Sequence, residues 1–164
     1  MKKRKLTICI AVCLMVISVL SAGCSNSSDT VSMFDLRTAM EEADTTLDEM
    51  MSADSNSDNP EDLFAYISEM DYDKVDKFFV SYSKSGKADE IAVIAVKDAA
   101  DVSEAEKTLK DHVQKRINVF SQYAPDQVKR AEKAEVFTSG QYAVLIICDK
   151  QDAVKKAFTD FINQ

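Results

Sequence analysis

Glycine, histidine and basic charge are all scarce in this chain of 164 residues, which holds three glycines and one histidine. Gly23, Gly86 and Gly140 each stand alone, so no glycine-rich loop is available to cradle a phosphate. Gly86 and Gly140 fall where hairpin turns are predicted, which already accounts for them. A zinc site draws on three or four convergent ligands, and the single His112 is expected at a helix surface. Of the four cysteines, Cys9, Cys13 and Cys24 lie in the first 24 residues. Cys148 alone follows, so no disulfide can form within residues 25–164. Its setting, YAVLIICD, is an apolar strand in which cysteine acts as a small hydrophobe. A nucleophilic thiol needs an electropositive setting instead. Twenty basic residues stand against 28 acidic ones, a formal net charge of -8. Such a surface repels nucleic acid and anionic headgroups.

The basic residues that do exist are unevenly placed. Lys2, Lys3, Arg4 and Lys5 form a block, and the run from Leu6 to Leu20 carries no charge and no proline. Small residues Ser21, Ala22 and Gly23 follow, then Cys24. A positive segment, an apolar segment and a small-residue cleavage point make up an export signal, with the basic end held in the cytoplasm. The run is too short for a comfortable membrane span. LSAGC resembles the lipobox of bacterial lipoproteins, with Ser21 standing where leucine is more usual and Leu20 one place further back. The resemblance implies cleavage after Gly23 and a diacylglycerol on the thiol of Cys24. Loss of the four basic residues leaves 16 basic against 28 acidic, a net charge of -12. Membrane contact is therefore expected from the covalent lipid, whose two or more chains hold durably, and not from charge.

Residues 24–32, the lipidated cysteine and a polar run ending SNSSDTVS, are expected to tether a single domain over 33–164. Met33, Leu36, Met40, Ala43, Leu47 and Met50 recur at helical spacing, which predicts one helix over 33–51. Ser32 and Asp35 form its capping box. A second short helix is predicted from Asn59 and Pro60, with Leu63, Phe64, Ile67 and Met70 inward. Val75–Ser83 and Glu90–Val96 read as strands joined by a turn. Asp101 and Glu104 are expected to cap a long helix with Val102, Ala105, Leu109, Val113, Ile117 and Phe120 on its inner face. The pattern recurs as strands over 131–138 and 141–148, then a helix capped by Asp149 and Asp152. IAVIAVKD aligns with YAVLIICD, so a β-β-α unit occurs twice, over about 75–122 and 131–163. The expectation is an α+β fold: a four-stranded antiparallel sheet from two β-β-α units, both helices on one face, preceded by two N-terminal helices. The second strand of each hairpin is apolar on both sides, so the other face must be covered as well, with the N-terminal helices the nearest candidates.

DYDKV (Asp71–Val75), ADEIAVIAVKD (Ala88–Asp98), the Tyr123-Ala124-Pro125 stretch and SGQYAVLII (Ser139–Ile147) are similar in order and spacing to the landmarks of the domain of unknown function 4358. That is a family of predicted lipoproteins of low-GC Gram-positive bacteria. The resemblance covers roughly residues 33–163. It implies a signal, a lipobox and a small exported domain, and it brings no catalytic residues to carry over.

Asp54, Asn56, Asp58 and Asp62 alternate like the ligands of a calcium loop. Position six is Asn59 instead of glycine, however, and position twelve is Ala65 where a bidentate glutamate belongs. A solvated loop is expected there, and no metal or cofactor. Phe78, Phe79, Tyr82 and Tyr142 are assigned to the core, while Tyr66, Tyr72 and Tyr123 are expected to wet their hydroxyls. The residues predict a non-enzymatic binding or interaction module of the cell envelope, lipid-anchored on the extracytoplasmic face of the membrane. Its partner would be an envelope protein or a small ligand. Methionine suits adaptable surfaces, so Met33, Leu36, Met40, Leu47 and Met50 form the candidate interaction surface, on a helix able to act as a lid. One rival is a small envelope enzyme in which acids such as Asp71, Asp73 and Glu90 converge with raised pKa values. Another is a ligand-sensing subunit of a membrane complex.

Overall fold

Two strands without a polar side organise the molecule. In the computed structural model, which describes residues 31–163, β3 (Glu90–Val96) and β5 (Tyr142–Ile147) pair at the centre of a five-stranded antiparallel sheet. The outer strands are β1 (Met50–Asp54), β2 (Val75–Ser83) and β4 (Glu135–Ser139), in the order β1-β2-β3-β5-β4. Every residue of β3 is buried, as a strand apolar on both faces requires. Gly86 (φ +81°) and Gly140 (φ +56°) supply the left-handed backbone that the two hairpin turns need.

The doubled unit is visible in the register. Val93 and Val144, equivalent in the sequence alignment, face each other, with Ile91 opposite Ile146 and Ile94 opposite Ala143. A two-fold axis normal to the sheet would produce this pairing. The helices break it. Helix α3 (Val102–Tyr123) packs on one face with α2 (Pro60–Phe64) and α4 (Pro125–Ala131), over Phe78, Val80, Ala92, Ile94 and Leu145. Helices α1 (Met33–Glu42) and α5 (Gln151–Ile162) cover the other, over Phe79, Ile91, Val93, Val144 and Ile146. The expectation of four strands with both repeat helices on one face is thus corrected. The two β-to-α links differ. After β3, Asp98 accepts from the amide of Ala100 and caps a 3-10 turn before α3. After β5, only Cys148–Lys150 intervene, and the Lys150 amide donates to Asp44 beside α1.

The predicted helix over 33–51 is also corrected. Ser32 caps α1 by accepting from the amide of Asp35 at 3.2 Å, but the helix ends at Glu42. Asp44 then accepts from the amide of Thr46 at 2.9 Å and from its hydroxyl at 2.6 Å. This side-chain turn competes with helix continuation just where two β-branched residues, Thr45 and Thr46, follow. The chain reverses, and Met50–Asp54 lies antiparallel on β2 with Met50 opposite Ser83.

Helix α2 is shorter than expected, although Phe64, Ile67 and Met70 are all buried as its inward residues. The inner stripe of α3 is the predicted one, with Ala105, Leu109 and Phe120 buried and Val102, Val113 and Ile117 packed against the same core. Asp101 makes no side-chain cap. With Glu104 it holds Lys74 instead, at 3.1 and 2.7 Å.

Candidate functional site

Chemistry concentrates where β3 begins. Asp89 and Glu90, where the chain enters β3, are each 2% exposed. A buried carboxylate must be paired, and helical residues meet both. His112 Nε2 lies 2.7 Å from Glu90 Oε1. Arg116 Nε lies 3.0 Å from Glu90 Oε2, close enough for an ion pair though not aligned as a hydrogen bond. His112 and Arg116 are one helical turn apart on α3, so both reach the same strand residue. Asp89 pairs with Arg130 on α4, which also binds Asp149 after β5. Burial pushes the Asp89 carboxyl up, and Arg130 partly offsets this. Gln127 Oε1 accepts from the Ala88 amide, and Arg116 donates to the Ala88 carbonyl. The ADE segment is therefore clasped by α3 and α4 together.

His112 is 6% exposed, which overturns its assignment to the surface. Facing a carboxylate oxygen, which accepts, Nε2 is the donor of this contact. The ring lines a cleft of about 20 Å³ with Tyr66, Ser68, Thr108 and Lys115, room for about one water molecule. The two hydroxyls there are engaged: Ser68 accepts from the Met70 amide and lies 2.7 Å from Thr108, which donates to the Ala105 carbonyl. Lys115 binds Glu69 across the rim. The arrangement suits an ordered polar contact, and it offers no activated hydroxyl.

The acids considered for catalysis do not converge. Glu90 opens β3, whereas Asp71 and Asp73 precede Val75, which pairs with Val96 at the far end of that strand. Six strand steps separate those ends, about 20 Å. Asp71 accepts from the Asp73 amide, capping the turn before β2.

Of the candidate interaction surface, Met33, Leu36 and Met40 are buried beneath α5 and the sheet, and Leu47 is partly buried against the same cluster. Met50 lies on the edge strand β1. These residues form no single exposed stripe. The loop weighed as a calcium site folds on itself, with Asp54 accepting from the Asn56 amide at 2.7 Å. Asn59, at position six, adopts the left-handed conformation that glycine supplies in such loops. Among the described residues no group of three or more His, Cys, Asp or Glu side chains is placed to hold a metal. Cys148 is buried beside Asp44, and burial first, then the neighbouring carboxylate, pushes its thiol up to about 12. Cys24 lies outside the described residues.

The pairs that sequence reading missed, Glu90–His112 and Asp89–Arg130, span 22 and 41 positions. The available signal was an acidic pair, Asp89-Glu90, heading an otherwise apolar strand. Phe78 and Phe79 are core residues, Tyr72 packs on Phe64 and Phe78, and Tyr66 and Tyr123 are exposed.

No curated protein and no solved structure matches the chain. A model of the domain of unknown function DUF4358 matches residues 39–148, which span the whole sheet and the ADE clasp and stop short of α5. The chain belongs to the DUF4358 family.

Proposed function

We propose that this chain is a lipid-anchored, extracytoplasmic binding module of the cell envelope, without catalytic activity of its own. The observation that carries the reading is LSAGC at residues 20–24, behind a basic block and an apolar run and eight residues ahead of the α1 cap, Ser32. Two features of the domain support it. The buried acids at the head of β3, Asp89 and Glu90, are taken up in ion pairs with α3 and α4, and Asp44 is held by Thr46 and the Lys150 amide. The carboxylates that an enzyme would need together stand at opposite ends of a hairpin.

A ligand-sensing role is favoured by one observation, the buried His112 ring at the edge of the Ser68–Thr108 cleft. In that reading the cleft admits a group no larger than a water molecule or the tip of a longer ligand.

Metabolic labelling with an alkyne fatty acid, followed by fractionation, tests the anchor. Wild type should be labelled and remain with the membranes, and Cys24→Ala should be unlabelled. An unlabelled wild-type chain would contradict the proposal. Crosslinking on intact cells then identifies what the domain binds.

A further inference from the structure

The tether leaves the domain at a definite end. Helix α5 follows β5 through Cys148–Lys150 and packs back on the sheet, so its start lies at Ile147 and its later turns reach Tyr142. The Gln151 side chain donates to the Ile146 carbonyl, and the Phe158 ring lies 5.9 Å from that of Tyr142. Asp44, just past α1, binds the Lys150 amide, and Lys150 Nζ binds Thr45. The end of α1 therefore meets the start of α5. The two helices lie side by side and run in opposite directions. The first turn of α1 thus sits with the last turn of α5, at the Tyr142–Val96 end of the sheet.

That end carries an apolar rim. Phe34 is 58% exposed, the most exposed phenylalanine of the described residues, with the Arg37 guanidinium over its ring. Val31, just ahead of α1, and Phe161 and Ile162, in the last turn of α5, are only partly buried against the core of that face. Arg130, Asp149, Tyr123 and the Gly86 turn mark the opposite end, where Glu90 opens β3. Nine residues lie between Cys24 and Phe34, so ten Cα steps keep the Phe34 Cα within about 35 Å of the Cys24 Cα.

We propose that this rim — Phe34 with the last turn of α5 — rests on the outer surface of the bilayer that holds Cys24, leaving the Arg130–Tyr123 end directed away from the membrane. The proposal rests on the lipid-anchor reading above. An exposed aromatic ring is suited to the boundary between headgroups and acyl chains, and Arg37, held by Ser52 and Glu41, fixes the ring from below. The acidic charge of the rest of the chain disfavours broad contact, which confines the docking to this apolar rim.

The sequence contains no tryptophan, so Phe34→Trp and Tyr123→Trp each introduce a unique fluorophore at an exposed position. Each lipidated, full-length product is extracted and reconstituted in phosphatidylcholine vesicles with brominated acyl chains. At an interfacial depth of about 5–10 Å, Phe34→Trp should lose roughly half its emission relative to unbrominated vesicles. Tyr123→Trp should be unchanged. Vesicle-bound protein in which Phe34→Trp is unquenched, or in which Tyr123→Trp is quenched as strongly, overturns the orientation alone. Protein that fails to float with the vesicles shows that the anchor is wrong and removes the orientation with it.

Discussion

Asp44 does the most structural work of any single carboxylate on the α1–α5 face. It is 1% exposed and accepts from both the hydroxyl and the amide of Thr46 and from the Lys150 amide. Burial by itself raises its pKa, but these donors outweigh it and lower the carboxyl from 3.8 to about 2. The ionised form is thus favoured by folding, and the associated stability, about 2 kcal/mol, is present above the unfolded value. It is lost as the pH falls through the folded value. Urea unfolding should find Asp44→Asn less stable than wild type by about that amount at neutral pH. The gap should close as the pH drops toward 2. A gap that stays constant to the acid limit would show that the ionised carboxylate contributes nothing.

Removing Glu90 leaves the partly buried Arg116 without its anion and the buried His112 without its acceptor, whereas removing His112 leaves Glu90 still paired with Arg116. Breaking a buried pair costs about 3–5 kcal/mol. Glu90→Ala should therefore approach that range in denaturant unfolding, and His112→Ala should cost less. The reverse order would contradict the pairing. Cys148, with its thiol pushed up to about 12 by burial and Asp44, should resist a thiol-specific reagent at pH 8 until the protein is unfolded. Rapid labelling of the folded domain would place the thiol outside the core.

Among the elements, α1 and α5 share a fate. They cover one face of the sheet and are joined through Asp44 and Lys150, so loosening that joint should release both. Hydrogen exchange of Asp44→Ala should show faster exchange in 33–42 and 151–162 together, with β3 and β5 unchanged. Acceleration in α1 alone would leave it an independent lid.

The same elements show why part of the fold was legible from sequence and part was not. β3 and β5 are short continuous apolar runs and α3 carries a clear helical period, signals that local packing obeys. The strand Met50–Asp54 does not: MMSAD has little β propensity, and Met40, Leu47 and Met50 continue a helical spacing. It is a strand because β2 offers an unpaired edge, a partner remote in sequence. The face chosen by each repeat helix was illegible for a related reason. It depends on a capped turn after Asp98 and on Asp44 reaching Lys150, contacts that no spacing reveals. His112 stands beside the inner stripe of α3, and only Glu90 on the sheet draws it inward.

At the scale of the whole molecule, a sheet covered on both faces carries the start of α1 at one end and its ADE clasp at the other. On the proposed lipid-anchor reading, cleavage before Cys24 would remove the basic block and leave an acidic chain, so the covalent lipid would have to hold the domain at the membrane. Intact mass spectrometry of the protein extracted from membranes tests this most directly. The expected chain starts at Cys24, lacks residues 1–23 and carries an added diacylglyceryl mass that Cys24→Ala abolishes. A mass equal to the unmodified chain of 164 residues would contradict it.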